Sequence, residues 1–160
     1  MKRSFSAVLF FLLTINLSAQ EIKKIKIKEL ETAIAESKTP LIVNFWATFC
    51  IPCIEEIPYF QRLVKKYEKD SVKLLLVSLD LQEDYAKVKP FAVKRKFTAP
   101  IVWLDETNAD YFCPKVDSIW SGAIPATLFI NNKKGYRKFY EEQISEAKLE
   151  REIMAILGKN

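Results

Sequence analysis

Trp46-Ala47-Thr48-Phe49-Cys50-Ile51-Pro52-Cys53 stands where one kind of pattern gives way to another. Before it, Leu41 to Ala47 is a short, nearly unbroken apolar run, as expected of a strand buried on both faces. After it, from Pro52 to Lys69, apolar residues recur at helical spacing in Ile57, Phe60, Leu63, Val64 and Tyr67, with Pro58 expected to kink the helix. A disulfide between Cys50 and Cys53 would close so small a loop that its entropic contribution is only about 2 kcal/mol, a weak structural reason for the pair. Chemistry gives a stronger one. Cys50 would sit at the helix N-terminus, where unpaired N–H groups and the helix dipole stabilise the thiolate that attacks disulfides. Cys53, one turn later, is placed to resolve the mixed disulfide, and Pro52 suits a first turn because its missing N–H would have no partner there. A zinc half-site would need two more ligands, and only Cys113 and carboxylates remain in a chain without histidine. No metal and no cofactor are expected.

Working outward, Lys28 to Lys38 reads as a short amphipathic helix carrying Leu30 and Ile34, broken at Thr39-Pro40. Val72 to Leu79 is a second buried strand, and a helix is expected around Pro90 to Phe97 with Pro90 in its first turn. Ile101 to Leu104 reads as a strand, and 108–122 as loop with one helical turn at most. Ala126 to Asn131 and Tyr136 to Glu141 read as hairpin strands around Asn132-Lys133-Lys134-Gly135, and Ser145 caps a last helix to Leu157. Alternating strands and helices that end in a hairpin and a helix indicate an α/β fold with a mixed central sheet flanked by helices.

The chain of 160 residues, 49% apolar and 28% charged, fits one domain with its own core rather than a disordered or repeat protein. Its three cysteines are too few for a disulfide-stapled mini-protein, and the absence of histidine excludes Ser-His-Asp catalysis and haem attachment after Cys-x-x-Cys. Met1-Lys2-Arg3, the apolar run Phe5 to Leu17 and the small residues of Leu17-Ser18-Ala19 have the layout of a signal peptide over 1–19, leaving a domain over 20–160. The apolar run is shorter than the roughly 20 residues a membrane span needs, so no stable membrane insertion is expected. Without Lys2 and Arg3 the 25 cations fall to 23 against 20 acids, interspersed rather than clustered, so no nucleic-acid partner is expected. Export would put the cysteines in an oxidising compartment.

The segment from Pro40 through Cys53 resembles the active-site region of the thioredoxin superfamily, and its continuation Glu55-Glu56-Ile57-Pro58 is most similar to the exported TlpA/ResA-like thiol-disulfide oxidoreductases. A second match lies in Gly122-Ala-Ile-Pro-Ala-Thr-Leu-Phe-Ile130, and together the two motifs carry the resemblance from about residue 28 to the C-terminus. It implies a thioredoxin fold and a cis Pro125 facing the cysteines. A cis X-Pro bond is a minority state that folded structure must hold, and it would turn the Ile124 N–H and C=O outward to pair with an extended client segment. Thioredoxins carry a buried acid at the position of Asn44, and asparagine cannot take a proton. Glu56 can replace it: three residues after Cys53 it falls near the same helix face, whereas Glu55 points elsewhere. The matching glutamate is a mark of the TlpA/ResA-like branch, so Glu56 is expected to shuttle the Cys53 proton with a pKa raised by burial. Phe49 stands where most relatives have tryptophan, keeping an apolar shield against the client without the indole N–H.

Trp46 and Trp120 are expected to pack in the core, and Cys113 to be a buried, unreactive thiol. The reading implied by the resemblance is a monomeric periplasmic reductase of protein disulfides, for example in cytochrome c maturation, recycled by a membrane thiol reductase. Its rivals are an oxidase or isomerase on the same fold and a non-catalytic metal carrier. Strong oxidants of the superfamily often place histidine between the cysteines, where this chain has Ile51-Pro52. A copper carrier would show Cys-x-x-x-Cys with a distal histidine, and a peroxiredoxin would need proline and threonine where Val43 and Ala47 stand.

Overall fold

The structure is a computed structural model and describes residues 22–159. The proposed signal segment 1–19 therefore lies outside the described residues. Six strands form one mixed sheet: β1 (Lys23–Ile25), β2 (Leu41–Trp46), β3 (Lys73–Ser78), β4 (Ile101–Leu104), β5 (Ala126–Asn131) and β6 (Tyr136–Tyr140). Their order is β1-β4-β3-β2-β5-β6. β1, β4, β3 and β2 run parallel, and β5 and β6 join antiparallel beyond β2. The helices are α1 (Ile27–Ala35), α2 (Ile51–Lys66), α3 (Tyr85–Lys94), α4 (Ala109–Val116) and α5 (Glu146–Leu157).

β2 is buried along its whole length, as its apolar run predicts. Side chains alternate across a strand. Leu41, Val43 and Phe45 pack with Leu30 and Ile34 of α1 and Phe112 and Val116 of α4. Ile42 and Trp46 pack on the opposite face with Ile57 and Phe60 of α2, Val88 of α3 and Leu149 and Ile153 of α5. Helices thus cover both faces, as expected. Trp46 is fully buried, and Trp120 packs at 4% exposure against Phe45, Phe112 and Phe139.

Three local expectations are corrected. β1, absent from the sequence reading, pairs with β4 through Lys23↔Val102 to Ile25↔Leu104. Strand β1 has one buried residue behind two exposed lysines, so no alternation announces it. α3 begins at Tyr85, and Pro90 stands inside it rather than in its first turn. The polar turn Gln82–Asp84 leads into this helix, and Val88 and Ala92 are the residues it buries. The stretch 108–122 contains α4, two turns long, despite Pro114. Phe112, Cys113 and Val116 drive its formation by burying one face. α2 continues through Pro58 without interruption.

Candidate active site

Cys50 is the N-cap residue of α2, and Pro52 follows in the first turn. The two cysteines form a disulfide, with S–S 1.99 Å and Cα–Cα 5.3 Å. The Cys53 N–H donates to Cys50 Sγ at 3.3 Å, one of the orphan donors that a helix start offers to an anion. Cys50 retains 7% exposure while Cys53 has none, so of the two cysteines only the first reaches the surface. Phe49 and Ile51, 63% and 68% exposed, flank it with apolar surface.

Under this turn lies the acid predicted from spacing. Cys53, Glu56, Ile57, Phe60 and Leu63 form the buried face of α2, while Glu55 is exposed. Glu56 has no exposed surface. Its Oε1 accepts from Asn44 Nδ2 at 2.7 Å, and its Oε2 from the Ile144 N–H at 3.0 Å. Asn44 is there because β2 alternation turns it toward α2, and the same amide donates to Thr127 Oγ1 at 3.0 Å. Burial pushes the Glu56 carboxyl up to about 7, against the two hydrogen bonds that favour its ionised form. A group of this kind can hold or release a proton near neutral pH.

The Ile124-Pro125 peptide is cis, as the resemblance implies. Pro125 is buried and Ile124 half-buried, packing against both faces' cores. Ile124 and Phe49 line the same groove, about 320 Å³, together with Leu81, Trp103, Phe112 and Gly122. The groove thus joins Ile124 to Phe49, the residue that precedes Cys50, while Cys53 and Glu56 are wholly buried.

Sequence reading missed two carboxylates. Asp80, just beyond β3 and 3% exposed, accepts from the Thr48 N–H at 3.0 Å and from the Thr48 and Ser78 hydroxyls. It anchors the turn before Cys50, and its own carbonyl accepts from Trp103 Nε1 at 2.7 Å. Glu141, just past β6, accepts from Ser121 and Ala123 in the loop that precedes Pro125. Sequence separation hid both; the one available signal was an acid at each strand's end. Cys113 is buried in α4, as expected, and burial, with the nearby charges of Glu141 and Asp110, pushes its thiol up to about 11.

A model of the AhpC/TSA family matches residues 12–137. Among curated proteins the chain is 31% identical over 128 residues to the thiol-disulfide oxidoreductase ResA of Bacillus cereus, covering 79% of this chain and 65% of that protein. It spans less than two thirds of the length of the ResA relatives from Bacillus and Geobacillus. Among solved structures it resembles StoA of Bacillus subtilis at 27% identity and a TM-score of 0.56, over 75% of this chain and 86% of that one. It also resembles a thioredoxin family thiol:disulfide interchange protein from Chlorobium tepidum, at 20% identity and a TM-score of 0.62, over 80% and 85%. The fold is thioredoxin-like, and the resemblance drawn from the two motifs is borne out.

Proposed function

The chain belongs to the AhpC/TSA family, and from that premise we propose that it is a thiol-disulfide oxidoreductase that reduces disulfides of exported client proteins. The observation that carries this reading is the cysteine pair at the start of α2, with only the first cysteine reaching the surface and a buried acid of raised pKa on the same helix face as the second. The ResA names of the curated relatives support it.

In the reduced protein, Cys50 reacts as the thiolate, stabilised by the Cys53 N–H. It attacks one sulfur of a client disulfide. The client's other sulfur leaves as a thiolate and takes a proton from solvent. Glu56 accepts the Cys53 proton, Cys53 attacks Cys50 Sγ, and the client's remaining sulfur leaves and is protonated. One client disulfide becomes two thiols, and two protein thiols become the Cys50–Cys53 disulfide. Ile124 offers its backbone to an extended client segment, and Phe49 shields the reacting sulfurs from water.

The disulfide must then be reduced by a thiol donor, for which a membrane thiol reductase is the partner. The segment 1–19 acts as the signal for export to the periplasm, where cytochrome c maturation is one process that needs such a reductant. No helix among the described residues is long and apolar enough to cross a membrane.

The test is the reduction potential of the Cys50–Cys53 pair equilibrated against glutathione. A value near thioredoxin's, about −270 mV, is expected. A value near that of the periplasmic oxidant DsbA, about −120 mV, would overturn the reducing direction and make the protein an oxidase or isomerase.

A further inference from the structure

We propose that Glu141 is a positioning residue for client capture, a role that rests on the oxidoreductase reading above. Three donors converge on one oxygen, Glu141 Oε1: the Ser121 N–H at 3.0 Å, the Ser121 hydroxyl at 2.5 Å and the Ala123 N–H at 2.8 Å. Gly122, between them, has φ +98, so this short loop folds back around the carboxylate. From the other side, Trp120 Nε1 donates to Ala123 O at 2.9 Å. The loop is therefore held through both the N–H and the C=O of Ala123. The next residue is Ile124, whose backbone is the client-facing edge and whose side chain lines the groove beside Phe49.

Without the carboxylate, two backbone N–H groups and a hydroxyl lose their shared acceptor, and Ile124 follows a loop free to move. An edge that must be ordered on binding weakens capture, because the ordering free energy is drawn from binding. Glu141 touches neither cysteine nor Glu56, so the chemistry should stand unchanged. Within the same strand-to-helix segment, Gln143 Nε2 donates to Pro52 O at 3.2 Å and the Ile144 N–H donates to Glu56. One end of the segment holds the client edge and the other holds the proton group.

All three bonds end on Oε1, and glutamine keeps an oxygen there. The test compares Glu141→Ala with Glu141→Gln in full-length protein reducing insulin. Glu141→Ala should raise KM roughly tenfold, equivalent to about 1.4 kcal/mol, with kcat and the cysteine-pair potential unchanged. Glu141→Gln should return KM to within about twofold of wild type. Hydrogen exchange at the Ser121 and Ala123 amides should quicken in the alanine variant and not in the glutamine one. An unchanged KM in Glu141→Ala, a glutamine variant no better than alanine, or unaltered exchange at both amides would overturn the proposal. A wild-type protein that reduces no insulin would instead sink the oxidoreductase reading, and the capture role with it. The amide exchange would still show whether Glu141 orders the loop.

Discussion

Asn44 donates its side-chain N–H to Glu56 Oε1 across 2.7 Å, in a place closed to solvent. The strand supplies a group that cannot ionise, and the helix supplies the one that can. Moving the acid from strand to helix places it on the element that carries both cysteines, in helical step with Cys53.

The two cysteines differ in exposure, so their variants should differ in kind. Cys53→Ser should accumulate mixed disulfides with insulin on non-reducing gels, because Cys50 can still attack and nothing resolves the product. Cys50→Ser should accumulate none. Equal trapping by both would reverse the assigned roles.

Glu56 should leave a signature in stability as well as in rate. Its carboxyl titrates near 7 in the folded protein against an ordinary value of 4.5. Between those values the folded state holds a proton that the unfolded chain has lost, so stability falls as pH rises through that window and levels off above it. The full effect is about 3 kcal/mol. Glu56→Gln should remove that decline, read by urea unfolding at pH 5 and pH 8, and should also remove the inflection near pH 7 from the rate of disulfide reduction. An identical pH dependence in both proteins would take Glu56 out of the mechanism.

Removing the Asp80 carboxylate strands the Thr48 N–H and the hydroxyls of Thr48 and Ser78. Asp80→Ala should lower stability by about 3 kcal/mol in denaturant unfolding, and Asp80→Asn, which keeps one acceptor oxygen, by less. If both variants match wild type, Asp80 does not anchor the Thr48 turn.

At Gly122 the space and the backbone disagree. A Cβ there would lie 3.6 Å from both Cys113 Sγ and Ala109 Cβ, an ordinary contact, but φ is +98. Gly122→Ala should therefore destabilise by about 1–2 kcal/mol through backbone conformation alone. Gly122→Asn should lose less than Gly122→Ala, since asparagine tolerates positive φ better; thermal melts that rank the two the other way would point to crowding instead.

Much of this was legible because its causes are local. The run Leu41 to Ala47 announces a doubly buried strand, and the spacing of Cys53 and Glu56 alone puts both on one helix face. Pro125 was marked by the motif around it. What escaped depends on partners far along the chain. Asp80 meets Thr48 across 32 positions, and Glu141 meets Ser121 across 20. Nothing local distinguishes those acids from solvated ones. α4 was obscured by Pro114 and its short apolar face, and β1 exists only because β4 offers it an open edge.

The two outermost strands have a bearing on the company this protein would keep. β1 ends the sheet with exposed Lys23 and Lys24, and β6 ends it with exposed Arg137 and Lys138. A reductase of misbonded clients would meet chains whose own strands are unpaired and ready to add to any open sheet. Cationic borders discourage that addition. Under the proposed function the sheet would then hand a client back instead of being extended by it, and contact would be confined to the surface around Cys50.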